Sequence, residues 1–292
     1  MRHSVTVAAT ILALAAGSAW AIESNSIIVT ADAPPLSGHD VFARAGNQPA
    51  TITSWRPLRG NPAGLELWIL IDDGTDSRVG TQIGDIKDFI RQQPPETRVG
   101  VGYMQNGRVL VLAKPTIDHE AAVKAIRLPN AIPGISASPY IALSDFLHKL
   151  PKVPEQPREI VLVSSGIDPY YGPGPLNPYL LSAIEDAQKA GVPVHTIYFS
   201  SAGRVGHRLR QIDWGQNDLS ELSEETGGQF YWQGISNPVA FKPFFDDLNH
   251  KFTEQYIVRL DTSSSRSGPQ RLQFHTEPQK VKITGPSQIY AQ

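Results

Sequence analysis

The chain has 292 residues, a formal net charge of −2, 40% aliphatic and aromatic residues and no cysteine. That length suits one large domain or a domain with a smaller companion. The missing cysteines exclude disulfides, thiol catalysis and Cys-based zinc sites, and a near-neutral chain without a basic tract argues against a nucleic-acid partner.

Residues 1–21 (MRHSVTVAATILALAAGSAWA) join a basic start to an apolar stretch and an Ala-Trp-Ala end. This is the pattern of a secretory leader cut after Ala21, and it places the protein in the periplasm or outside the cell. No other segment is long and apolar enough to predict a membrane span. Residues 22–63 read as extended. IIVTA is β-rich, and VFARAGNQPATITSW places Ala45-Gly46-Asn47 between two short β-like runs, which predicts a hairpin.

From residue 64 the pattern changes. ELWILI (66–71) is a continuous apolar run, as in a strand buried on both faces. Helical spacing follows over 79–93, then two β runs (98–104, 108–114) flank Gln105-Asn106-Gly107, a hairpin signal. Helices are predicted over 117–128, 139–150, 177–191, 217–228 and 238–255, and strands over 158–163, 192–199 and 229–232. Strands alternating with helices imply an α/β fold: a doubly wound, mostly parallel sheet with helices on both faces, here spanning 64–255. The last segment, 256–292, returns to a β pattern and is expected to pack with 22–63 as a small β appendage built by the two chain ends.

In such a sheet, ligands bind beyond the carboxyl ends of the strands. Three loops are expected there: DDGTDS (72–77), ISASP (135–139) and SSGIDP (164–169). All their candidate donors are oxygens, a set suited to Mg²⁺ or Ca²⁺ rather than zinc or copper. The alternative is that Asp72 and Asp73 cap the following helix while Ser164 and Ser165 form a polar turn.

LWILIDDGTDS, SASPYIAL, REIVLVSSG, AGVPVHTIYF and LSELSEETGGQFY, in this order, resemble a von Willebrand factor type A domain, over roughly residues 64–256. The exported bacterial variety found in acidobacteria, with β segments flanking the core, is the most similar. The resemblance implies a metal-ion-dependent adhesion site whose loops carry Asp-x-Ser-x-Ser, a Thr, and an Asp in Thr-Asp-Gly. Asp73, Thr75 and Ser77 meet the first pattern when the second aspartate starts it. The second position falls on Ala137, between Ser136 and Ser138, and the third loop has Ser165 where the carboxylate is usual, with Asp168 nearby. The implied site is therefore degenerate. Its candidate ligands are Asp73, Thr75, Ser77, Ser165 and Asp168, with Ser136 and Ser138 from the second loop, and its cofactor would be Mg²⁺ or another divalent cation held by few carboxylates.

Ser164 and Ser165 lack the Gly-x-Ser-x-Gly surroundings of a hydrolase nucleophile, and no histidine is spaced as its base, so an enzyme is not expected. The 200–216 segment reads as a long loop with His207 and Trp214, and 168–178 as a rigid loop with Tyr170 and Tyr171. These four are the candidate contacts with an unknown protein ligand. The expected function is an exported protein-binding module of adhesion or scaffold type. The alternative is a structural or assembly component with a vestigial metal site.

Overall fold

The computed structural model describes residues 26–32, 38–61, 64–132, 137–151, 156–171, 174, 176–204, 208–262, 267–276 and 281–291. The leader expected over 1–21 lies outside the described residues. In chain order the elements are β1 (Ser26–Ala31), β2 (Val41–Ala45), β3 (Gln48–Pro57), β4 (Glu66–Asp72), α1 (Ile83–Arg91), β5 (Arg98–Gln105), β6 (Arg108–Thr116), α2 (His119–Lys124), α3 (Pro139–Lys149), β7 (Arg158–Ser164), α4 (Pro178–Ala190), β8 (Val194–Tyr198), α5 (Leu209–Thr226), β9 (Phe230–Tyr231), α6 (Lys242–Thr253), β10 (Gln255–Asp261), β11 (Gly268–Thr276), β12 (Ile283–Thr284) and β13 (Gln288–Ala291).

The middle of the chain forms a six-stranded sheet of order β6-β5-β4-β7-β8-β9. It is mixed rather than cleanly parallel. β4, β5, β7, β8 and β9 run parallel, while β6 returns antiparallel to β5 through Asn106 and Gly107, both at positive φ. β4 and β7 are buried almost throughout, which is why their sequences are unbroken apolar runs. One core cluster on this sheet includes Ile69, Val101 and Phe89, and the other includes Leu70, Leu162 and Tyr140.

The two chain ends build the larger sheet, not a small appendage. It has seven strands of order β12-β1-β10-β3-β2-β11-β13, every pairing antiparallel. β12 and β13 are neighbours in sequence yet lie at opposite edges, so the sheet must curl to bring its edges together. Ile27, Val29, Val258 and Leu272 belong to its core. Sequence periodicity foresaw neither β13 nor the early start of α5, which begins at Leu209 and takes up the second half of the expected 200–216 loop.

The sheets share a core cluster. Ile28 of β1, Leu58 and Ile257 of β10 belong to the same cluster as Ile71, Phe89 and Phe252. Phe252 lies 6.4 Å from the Phe89 ring and 5.7 Å from the His195 ring, with the Arg59 guanidinium 5.7 Å from its centroid. His195 is a buried structural residue: its Nδ1 accepts from the Gln229 N–H (3.0 Å), so Nε2 donates to Glu159 (2.6 Å). No helix among the described residues is long and apolar enough to cross a membrane.

Because Phe252 belongs to the cluster shared by both sheets, Phe252→Ala is expected to cost about 3–5 kcal/mol. Urea denaturation followed by tryptophan fluorescence (Trp55 in one sheet, Trp68 in the other) and by far-ultraviolet circular dichroism should give coincident single transitions. Separated transitions would show that the sheets unfold independently.

Candidate functional site

The carboxyl ends of β4, β7 and β8 meet at one rim. β4 ends on Asp72, whose Oδ1 accepts from the Gly74 N–H (2.8 Å) and whose Oδ2 accepts from Ser164 Oγ at the end of β7 (2.8 Å). The backbone of the first loop is clipped to the turn after β8 by Asp76 N–H to Ser200 O (2.9 Å) and Ala202 N–H to Gly74 O (2.9 Å). The first and third loops expected from sequence therefore do converge.

Asp73, the expected first ligand, turns the other way. Its carboxylate is fully buried and accepts from Arg127 Nη1 at 2.7 Å and Nη2 at 2.8 Å, a bidentate pair. Asn130 adds its backbone N–H (3.0 Å) and its Nδ2 (2.9 Å), and the Asp73 carbonyl accepts from Ala131 N–H (3.0 Å). Arg127 lies 3.9 Å over the Tyr103 ring, and its backbone N–H and C=O both bond the Tyr103 hydroxyl (2.8 and 2.6 Å). Asp73's hydrogen bonds hold the guanidinium pKa above its ordinary value, and burial pushes the Tyr103 hydroxyl up to about 12.

The other expected ligands are dispersed. Ser77 is exposed and opens a 3₁₀ turn capped by Asp76, which is itself paired with Arg78 (2.9 Å). Thr75 Oγ1 is buried with no hydrogen-bond partner among the described residues. Ser165 Oγ accepts from the Ile167 N–H (3.3 Å), closing its own turn. Asp168 accepts from Ser138 Oγ (2.6 Å), Asn177 Nδ2 (3.3 Å) and the backbone N–H groups of Tyr170 and Tyr171 (2.8 and 3.2 Å). Ser138 also caps α3, and Asn177 caps α4. Ser136 lies outside the described residues.

This donor set does not fit a divalent ion. Mg²⁺ needs oxygens free to face it and retains several waters. Here Asp73 and Asp76 face arginines, Asp168 is wrapped by neutral donors, and the Thr75 hydroxyl contributes no charge. Among the described residues no group of three or more His, Asp or Glu side chains is placed to hold a metal.

Of the expected partner contacts, Tyr170 is exposed and Tyr171 partly so, with the Tyr171 ring packed against the Cα of Gly174. Trp214 is on α5 rather than in a loop and is half-buried, with the Arg210 guanidinium 4.8 Å from its centroid. His207 lies outside the described residues. Sequence reasoning missed Arg127, Asn130, Asn177 and Asp218. Asp218, on α5, receives one weak bond from Asn177 (3.3 Å), and burial pushes its carboxyl up to about 7, with the charges of Glu221 and Asp168 adding to the shift.

Arg127→Ala leaves Asp73 buried without its countercharge and should cost about 3 kcal/mol, the lower end for a broken buried pair because Asn130 still donates. Millimolar Mg²⁺ or Ca²⁺ is expected to leave the melting temperature where a chelator leaves it. A rise of several degrees would mean that an ion binds the fold. A raised carboxyl pKa means the folded state holds a proton that the unfolded state has released. Asp218 therefore makes stability fall as pH rises from about 4 to about 7. Asp218→Asn should flatten that slope in melting curves taken across this range.

No family model and no curated protein matches the chain. Among solved structures, an aerotolerance-related membrane protein from Bacteroides fragilis is similar at TM-score 0.47 and 13% identity, over 65% of this chain and 98% of that one. BatB from Bacteroides thetaiotaomicron is similar at TM-score 0.47 and 12% identity, over 64% and 97%. The SpRpn10 VWA domain is similar at TM-score 0.35 and 16% identity, over 63% and 94%. The strand order, with one antiparallel edge strand beside β5 and helices on both faces, gives the middle of this chain a von Willebrand factor type A-like fold.

Proposed function

We propose that the protein is a non-enzymatic binding module, exported to the cell envelope or beyond. It engages another protein through the loops at the carboxyl ends of β4, β7, β8 and β9, without a divalent ion. The observation that carries this reading is a group of exposed apolar side chains at this rim, although Phe42 and Ile117, also more than half exposed, lie elsewhere. Leu128 and Ile132, Tyr170 and Leu176, and Ile235 and Val239 are all more than half exposed, and all belong to segments at this rim. Large apolar groups gathered at one end of a domain mark an interaction surface. Tyrosines add contact area at small entropic cost, and Tyr171 is already held against Gly174.

The charge pattern supports the same reading. Asp73 and Asp76 are neutralised within the chain, so docking on this rim does not require their desolvation as bare charges. Fold alone would not carry the proposal, since unrelated functions share folds.

A photo-reactive amino acid placed at Tyr171, in the source organism and with chelator present, should yield an adduct with one discrete protein. The same group at Phe42, an exposed position on β2 of the antiparallel sheet, should yield none. An adduct at Phe42 alone would favour the structural or assembly role. Dependence of the Tyr171 adduct on added metal would remove the ion-free reading.

A further inference from the structure

We propose that the outer edge of β6 receives an extended segment of the protein partner as an added strand, apolar in its middle and acidic at both ends. This names the partner's segment for the rim-docking reading and rests on it.

β6 is an outermost strand of the six-stranded sheet, and among the described residues no strand pairs with its far side. Asn106 and Gly107 form a two-residue turn, so Gln105 and Arg108 exchange both ladder hydrogen bonds and the pairs alternate from there. Tyr103 with Leu110 is the next bonded pair. Val109 and Val111 therefore turn their N–H and C=O groups away from β5, as main-chain donors and acceptors that a further strand can complete.

The side chains of this edge are open as well. Val109 packs with the core that holds Tyr140 of α3, and Ala113 with the core that holds Ala122 of α2, so helices cover both faces of the strand. Between them Leu110, Val111 and Leu112 still remain 44%, 38% and 41% exposed. Successive strand residues point to opposite faces, so both faces of the edge are apolar here. The edge also joins the rim. Met104, one strand in, pairs with Asp72 at the end of β4. Leu110 pairs with Tyr103, whose ring lies under the guanidinium of Arg127, next in sequence to Leu128.

The flanking charges select the occupant. Arg108 and Lys114 are exposed, and neither forms an ion pair among the described residues. Two copies of β6 paired about a two-fold axis through Val111 would set Arg108 against Lys114 of the other copy. Like charges directly opposite destabilise a ladder, so a second copy is disfavoured and a strand with a carboxylate at each end is favoured. The far half of β6 is blunted. Its register slips at Leu112, where Gly102 pairs with Val111 but Val101 with Ala113, and Pro115 has no N–H to offer. The regular ladder from Arg108 to Val111 is left for pairing, with Lys114 beyond it as a point of charge.

The test uses the full mature chain and three fluorescein-labelled peptides. The first is Asp-Thr-Val-Ile-Val-Thr-Asp. The second has lysine at both ends instead, and the third is the first with N-methyl groups on its central Val-Ile pair. Fluorescence anisotropy is expected to show binding of the first alone, and amide hydrogen exchange to slow at Val109 and Val111. Val111→Pro removes an outward N–H without removing a bond to β5, and should weaken the first peptide about tenfold. Lys114→Glu should weaken the first peptide and strengthen the lysine one. Melting curves check that both variants are folded. Equal binding of the lysine or N-methylated peptide, no slowing at Val109 and Val111, or unchanged binding in either variant overturns the proposal. So does a dimer in sedimentation that protects these amides without peptide. If the cross-linked adduct at Tyr171 forms but the peptides do not bind, the edge fails and the rim reading stands. If the first peptide binds and slows exchange but no adduct forms, the rim reading fails and β6 remains a strand-binding edge.

Discussion

The bidentate pair between Asp73 and Arg127 organises the rim. Adjacent carboxylates at the end of a buried strand repel each other and are costly to desolvate. The chain separates them by direction. Asp72 faces β7 and is satisfied by a serine hydroxyl and a backbone N–H, while Asp73 faces the segment after α2 and is satisfied by a guanidinium and an asparagine. The positive charge that such a site would otherwise draw from solution is supplied covalently. Tyr103 holds the guanidinium from below through its ring and both backbone groups of Arg127. The segment that carries Leu128 and Ile132 is thereby tied to β4 and β5.

The third loop follows a parallel logic. Asp168 has no arginine, yet it gathers Ser138, Asn177 and two backbone N–H groups, so the caps of α3 and α4 and the Tyr170–Tyr171 turn all depend on one carboxylate. Helix N-termini favour negative charge nearby, which adds to the stability of this arrangement. The close contact of Gly166 with Gly215 then fixes α5 against the same turn. Buried carboxylates held by these bonds lie at one end of a shared core, beside the exposed side chains of Tyr170 and Leu176.

The curled antiparallel sheet bears on the rim only indirectly. It packs around Ile28, Leu58 and Ile257, and α6 passes into β10 with one residue between them. The segment leading into β13 docks on α4 and α5 through Ser287, which bonds Gln188 Nε2 (3.1 Å) and the Glu225 carbonyl (3.0 Å). The helix that carries Trp214 and Asp218 is thus anchored at its far end by the end of the chain.

The sequence by itself determined the alternation of strands and helices, the hairpin at Asn106-Gly107, the pairing of loops at one rim and the return to β structure at the end. These are set by local periodicity and turn chemistry, which act over a few residues. Only the tertiary structure decided the partners of the rim carboxylates. Asp73 and Arg127 are 54 positions apart, and Asp168 and Ser138 are 30 apart, so no local pattern links them. The motif match that began at Asp73 counted residues correctly but could not register that strand β4 ends at Asp72 and that the next side chain points away from β7. The size of the second sheet was hidden for the same reason: pairing between the two chain ends is a long-range contact, fixed by burial and register rather than by any local signal.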